Sequence, residues 1–135
     1  MPEGLKTGLT GQAEVLVSDS NTAEVFGNAG AKVFATPLLV ALMEQAAIDA
    51  IRPCLLPGEG SVGTKIEMSH LAATPVGMVV TAKAELVEVV GKKMVFAVTA
   101  ADSQETVGTC RHERFLVADM DAFLAKVATK RQTCC

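Results

Sequence analysis

The chain has 135 residues, a formal net charge of −3, an apolar fraction of 50 % and a charged fraction of 20 %. That is one domain's length with enough apolar material for a core, which argues against bulk disorder, and no cluster of Lys and Arg offers a nucleic-acid surface. The four cysteines, Cys54, Cys110, Cys134 and Cys135, include no C-x-x-C pair, which argues against the common zinc and redox motifs.

The N-terminal MPEGLKTGLTGQ lacks the apolar centre of a signal peptide, and no apolar run is long enough to span a bilayer. The expectation is a soluble cytoplasmic protein with free thiols. With no Trp, no Tyr and only five Phe, aliphatic residues and Ala must fill the interior. The first strand is predicted over 11–18, around AEVLVS. The following SDSNTAEVFGNAGAK reads as a loop, a mobile cover over a site.

The strongest helix signal runs from Pro37 to Ile51, with Thr36 as N-cap, Pro37 at the first helical position and Arg52-Pro53 as its end. LLVALMEQAAIDAI is apolar on most of its circumference, which predicts burial on nearly every side. A strand over 60–70 alternates, with Val62, Thr64, Ile66, Met68 and His70 on one face and Ser61, Lys65, Glu67 and Ser69 on the other.

Strands over 78–90, 93–101 and 105–117 follow, separated by Gly91-Lys92 and Asp102-Ser103-Gln104. A short helix over 119–128 is started by Asp119. The order is strand, long helix, then a meander of four strands. It predicts an α+β hotdog fold, an antiparallel sheet wrapped around a long central helix, in one domain over 1–135. About ten N-terminal and about six C-terminal residues are expected to fray. Hotdog domains pair, so a homodimer is expected.

Three polar residues are unexplained by this pattern. Glu44 has Val40, Ala41, Ala47 and Ile48 as helical neighbours, and a carboxylate on an apolar face either finds partners or becomes useful for proton transfer. His70 ends a strand in phase with Ile66 and Met68, and reads either as a solvated strand end or as a proton carrier. Thr36 caps the helix, whose N-terminus also suits an oxyanion, with Leu38 and Leu39 as N–H donors because Pro37 has none. His112, between Arg111 and Arg114, reads as lying on a solvated or interface strand. Gly63 inside a strand marks a bulge or a close approach.

At these residues the sequence resembles the hotdog thioesterases related to fluoroacetyl-CoA thioesterase. The resemblance is carried by VFATPLLVALMEQAA, PGEGSVGTKIEMSHLAATPVGM and HERFLV, and runs from about Val33 to Val117. It implies a hotdog dimer that hydrolyses acyl-CoA thioesters, with no metal and no cofactor beyond the coenzyme A of its substrate. It implies Thr36, Glu44 and His70 as catalytic residues, and Gly63 and Arg114 beside the substrate. Phe34, Leu38 and Leu39, flanking Thr36, complete the expected substrate contacts. The fluoroacetate-specific member carries a Phe-bearing lid before the helix; here the stretch is GNAGAK, with Gly30 where a lid Phe would stand.

Mechanistically, Glu44 either activates water or attacks the thioester directly, Thr36 either hydrogen-bonds or attacks, and His70 moves or orients a proton. The rivals are a hotdog hydratase or dehydratase, and a non-catalytic acyl-CoA-binding module. No nucleic-acid or membrane partner is expected.

Overall fold

A computed structural model describes residues 4–133 of the chain; Cys134 and Cys135 lie outside the described residues. Five strands form one antiparallel sheet: β1 (Thr10–Leu16), β2 (Gly60–His70), β3 (Val79–Val90), β4 (Lys93–Ala101) and β5 (Thr106–Val117). The long helix α1 (Thr36–Ile51) packs on one face. A short helix α2 (Met120–Ala128) follows the last strand, started by Asp119, whose side chain accepts from the Ala122 N–H. A last helical segment, α3, covers Lys130–Thr133. This is the hotdog arrangement.

The spatial strand order is β1-β3-β4-β5-β2, which corrects the expected meander. β3, β4 and β5 are sequential neighbours, but β2 crosses to the far side and pairs with β5. β1 and β2 are therefore the two edges.

α1 buries Leu39, Leu42, Met43, Ala46, Ala47, Ala50 and Ile51 against the sheet. Leu38, Val40, Ala41, Glu44 and Ile48 are only half-buried and Pro37 and Gln45 are exposed, so the expected burial on nearly every side is not met by a single chain. The close crossing of β1 over α1 depends on Gly11, where a Cβ would lie 2.2 Å from the Ala50 backbone nitrogen. The expected N-terminal fraying is also corrected within the described residues. Leu5 belongs to the core, and Gly8 and Leu9 exchange backbone hydrogen bonds with Leu86.

A bulge in β2 changes which side chains face the helix. The register passes from Gly63 opposite Arg114 to Lys65 opposite Glu113, leaving Thr64 as the extra residue. Ile66, Met68 and His70 keep the expected phase, but N-terminal to the bulge Ser61 and Gly63 face inward in place of Val62 and Thr64. No helix among the described residues is long and apolar enough to cross a membrane.

Candidate active site

The chain places its unexplained polar residues in two groups, at two levels of α1. The first lies at the helix start. Thr36 is the first helical residue, and the N-cap is Ala35, which makes no side-chain cap. The Thr36 hydroxyl is thus free of the expected capping role; its Oγ1 lies 2.8 Å from Nδ1 of His70, the last residue of β2. The chain after His70 is pinned to the helix start by Phe34 N–H donating to Thr74 O, and by pairing of Val33 with Pro75. Nε2 of His70 is buried with no partner among the described residues.

A cleft of about 310 Å³ opens beside this pair, walled by Ala23, Asn28, Val33, Phe34, Leu71, Ala72 and Ala73. Its strap is the segment expected to be a mobile cover. It is closed on itself: Ala23, Glu24 and Asn28 donate backbone N–H groups to Val33, Ala31 and Ala23, and the Gly30 N–H donates to the Glu24 carboxylate. Gly30 turns with φ +81°, and Phe26 is 56 % exposed on the outside.

The second group surrounds Glu44. Arg114 Nη1 donates to Glu44 Oε2 at 3.1 Å. Arg114 is 4 % exposed; its Nε donates to Ser61 Oγ at 2.8 Å and its Nη2 to Ser61 O at 3.1 Å. His112, 1 % exposed, sits behind it, with Nδ1 2.8 Å from Lys65 O and Nε2 3.2 Å from Arg114 Nη1. Burial pushes the His112 imidazole below its ordinary range; the Lys65 carbonyl opposes that, the Arg114 charge adds to it, and Glu44 and Glu113 oppose it. Gly63 makes room for the carboxylate. Glu44, Gly63, Thr64, Lys65, Ile66 and His112 line a second cleft of about 290 Å³.

The structure therefore joins Thr36 to His70, and Glu44 to Gly63 and Arg114. Thr36 and Glu44 stand eight positions apart on the helix, a rise of about 12 Å, so one chain does not bring all three together. The expected oxyanion donors are corrected: the N–H groups of Leu38 and Leu39 both donate to Ala35 O. With Pro37 lacking an N–H, the Thr36 N–H is the first-turn donor left without a partner among the described residues. Leu39 is wholly buried in the core, Phe34 backs the cleft, and Leu38 lines a separate groove between β1 and α1. His112 corrects the expectation of a solvated or interface strand. It shares an inward phase with Cys110, Arg114 and Leu116, the signal that would have found it.

Residues 17–120 match the family model described as FlK, fluoroacetyl-CoA-specific thioesterase. The chain is 46 % identical over 99 residues to a fluoroacetyl-CoA thioesterase of Streptantibioticus cattleyicolor, covering 73 % of this chain and 70 % of that one. Among solved structures, fluoroacetyl-CoA thioesterase FlK superposes with a TM-score of 0.86 at 37 % identity, over 95 % of this chain and 98 % of that one. A variant of that enzyme solved with acetyl-CoA superposes equally well, at 36 % identity over 93 % of this chain and 98 % of that one, with a TM-score of 0.86. A thioesterase superfamily member from Thermus thermophilus gives 0.85 at 26 % identity, over 97 % and 98 %.

Proposed function

The chain belongs to the FlK family of fluoroacetyl-CoA-specific thioesterases, and on that premise we propose that it hydrolyses a small acyl-CoA at a site shared between two copies of the chain. Hydrolysis of an acyl-CoA thioester comes with the family; the shared site is our reading. The observation that carries it is the separation of Thr36 and His70 from Glu44 along α1.

β2 is an edge strand, and its free backbone groups are a template for a second strand. Antiparallel self-pairing of β2 runs the half of one strand that ends at His70 beside the half of the partner strand that begins before the bulge. That pairing brings Thr36 and His70 of one chain toward Glu44 of the partner subunit. The half-buried Val40 and Ile48, on the flank of α1 that carries Glu44, also gain a cover.

In this site the Glu44 carboxylate takes a proton from water, and the water oxygen adds to the thioester carbon. The resulting oxyanion is met by the Thr36 N–H at the positive end of α1. Collapse breaks the carbon–sulfur bond. The coenzyme A thiolate takes the Thr36 hydroxyl proton, His70 replaces it through Nδ1, and the proton that Glu44 took from water returns to His70 through solvent. The thiols of Cys54 and Cys110 suit a reducing compartment such as the cytoplasm.

The test mixes two inactive variants, Glu44→Gln and His70→Ala, under conditions of subunit exchange. A shared site predicts recovery of about a quarter of wild-type activity, since half the dimers are mixed and each carries one whole site of two. No recovery, despite proven exchange, means that each chain uses its own three residues.

A further inference from the structure

We infer that Thr74 and Asp102 are positioning residues for the Thr36–His70 pair: the Thr74 hydroxyl, tied to the Asp102 carboxylate, fixes the chain beyond the end of β2 against the start of α1. This rests on Thr36 and His70 being catalytic, as proposed above.

The pair joins two elements that share no ladder of hydrogen bonds. Thr36 is the first residue of α1 and His70 the last of β2. Their 2.8 Å contact therefore depends on how the segment after His70 is anchored. That segment is held in three places. Leu71 and Ala72 donate their N–H groups to Val107 O, near the start of β5. Thr74 O accepts the Phe34 N–H at 2.9 Å and Pro75 pairs with Val33, so the lead-in to α1 lies against it. The third hold is a side chain: Thr74 Oγ1 donates to Asp102 Oδ2 at 2.9 Å.

Thr74 is 1 % exposed. A Val would fill the same space with no hydroxyl to satisfy, so packing alone does not ask for Thr here. Asp102 gives the hydroxyl a fixed partner. Its Oδ1 accepts the N–H groups of Gln104 and Glu105 at 2.8 and 3.0 Å, which ties the carboxylate to the turn between β4 and β5 and leaves Oδ2 for Thr74. The Gln104 N–H, against burial, and then the Thr74 hydroxyl and the Glu105 N–H hold the Asp102 carboxyl below its usual range, as suits an ionised acceptor. Thr74 thus acts on both halves of the pair. It stands four residues after His70, and its carbonyl carries Phe34, two residues before Thr36. Without the hydroxyl, the 71–75 segment is free to shift against the sheet, and a reacting group displaced by about 1 Å loses up to about 100-fold in rate.

Kinetics and histidine NMR on the purified, full-length enzyme test this together. Thr74→Val removes the link and leaves the turn around Asp102 intact. It is expected to lower kcat on the order of 10- to 100-fold with KM for the acyl-CoA little changed. The chain has two histidines, and His112 lies in the other group, around Glu44, so its ring is an internal control. The His70 ring signals are expected to move in Thr74→Val while those of His112 stay. Thr74→Ser, which restores the hydroxyl, is expected to recover most of kcat and the wild-type His70 signals. Asp102→Ser keeps one oxygen for the turn and none for Thr74, and serves if Thr74→Val does not fold. Wild-type kcat in folded Thr74→Val or Asp102→Ser overturns the inference. So does an activity loss in which both histidines move together, which is general loosening, or one that Thr74→Ser does not recover. His70→Ala is measured in parallel. If it is inactive while Thr74→Val has wild-type kcat, the inference alone fails; if it is fully active, the catalytic reading of His70 fails.

Discussion

Gly63 and Glu44 occupy one space: a Cβ built on Gly63 would lie 2.7 Å from Glu44 Oε2, with His112 Cε1 and Arg114 Nη1 at 3.3 and 3.4 Å. The backbone at Gly63 has no positive φ, so an alanine is allowed there; the carboxylate must move, and the His112 ring must give by a few tenths of an ångström. Gly63→Ala is therefore expected to fold with a melting temperature close to wild type while kcat falls by at least about tenfold. Unchanged kcat would show that the carboxylate tolerates displacement. Calorimetry and kinetics on one preparation check both halves.

Thr36 gives the complementary case. Because its hydroxyl bonds His70 and caps nothing, Thr36→Ala removes one exposed hydrogen bond and costs about 1 kcal/mol of stability or less. If the hydroxyl supplies the proton to the leaving thiolate, the same change lowers kcat by at least about 100-fold. Thr36→Ser keeps the hydroxyl and is expected to stay within about tenfold of wild type. A stability loss that accounts for the whole activity loss would contradict the catalytic role.

Much of this architecture is written locally. Thr36-Pro37 and Arg52-Pro53 bracket α1, Asp119 starts α2, and Gly91-Lys92 turns β3 into β4, because caps, Pro and Gly act on their own neighbourhood. The bulge at Thr64 has no such signature. One extra residue in an alternating strand leaves the composition unchanged, yet it reverses the faces of Ser61, Val62 and Gly63. Strand order is likewise not local, and nothing in residues 60–90 says that β2 pairs with β5 and not with β3. His112 was legible from its phase with Cys110 and Leu116, but the charges of Arg111 and Arg114 suggested water around a strand whose inner face is dry. The separation of Thr36 from Glu44 follows from helical rise alone, and it divides the one expected group between two places on α1.

Two buried groups set opposite limits on stability. Folding lowers the affinity of His112 for a proton, so the unfolded chain binds more protons as the pH falls below the ordinary histidine range, and stability falls with it. Replacing the ring with Gln removes that component, and His112→Gln is expected to lose less stability than wild type on acidification. Burial, with Glu44 nearby, pushes the Cys110 thiol up to about 11. Its folded form resists ionisation, so stability is lost as the pH rises from the unfolded thiol value of 9.0 through about 11. Cys110→Ala is expected to be flatter over that range. Urea unfolding across pH, compared as wild type minus variant, reads both, and parallel curves would refute the assignments.

The last prediction concerns the acyl group. The cleft beside Thr36 and His70 is walled by Ala23, Ala72 and Ala73 together with Val33, Leu71, Phe34 and Asn28. The strap above it turns through Gly30, which carries no side chain, while Phe26 points its surface outward. A fluorine is distinguished from hydrogen at an acyl carbon by contacts that close around it. A wall mainly of aliphatic side chains, with one amide, Asn28, supplies few of these. Discrimination by packing of one small apolar group reaches ~10-fold at its low end. The ratio of kcat/KM for fluoroacetyl-CoA over acetyl-CoA is therefore expected to stay below about tenfold, with short acyl groups preferred over long ones that exceed a cleft of about 310 Å³. Thiol release measured across acyl-CoAs of graded length and polarity decides the matter. A ratio in the hundreds would mean that selection for fluorine does not need an aromatic lid at Gly30, and would direct attention to Asn28 and Phe34 instead.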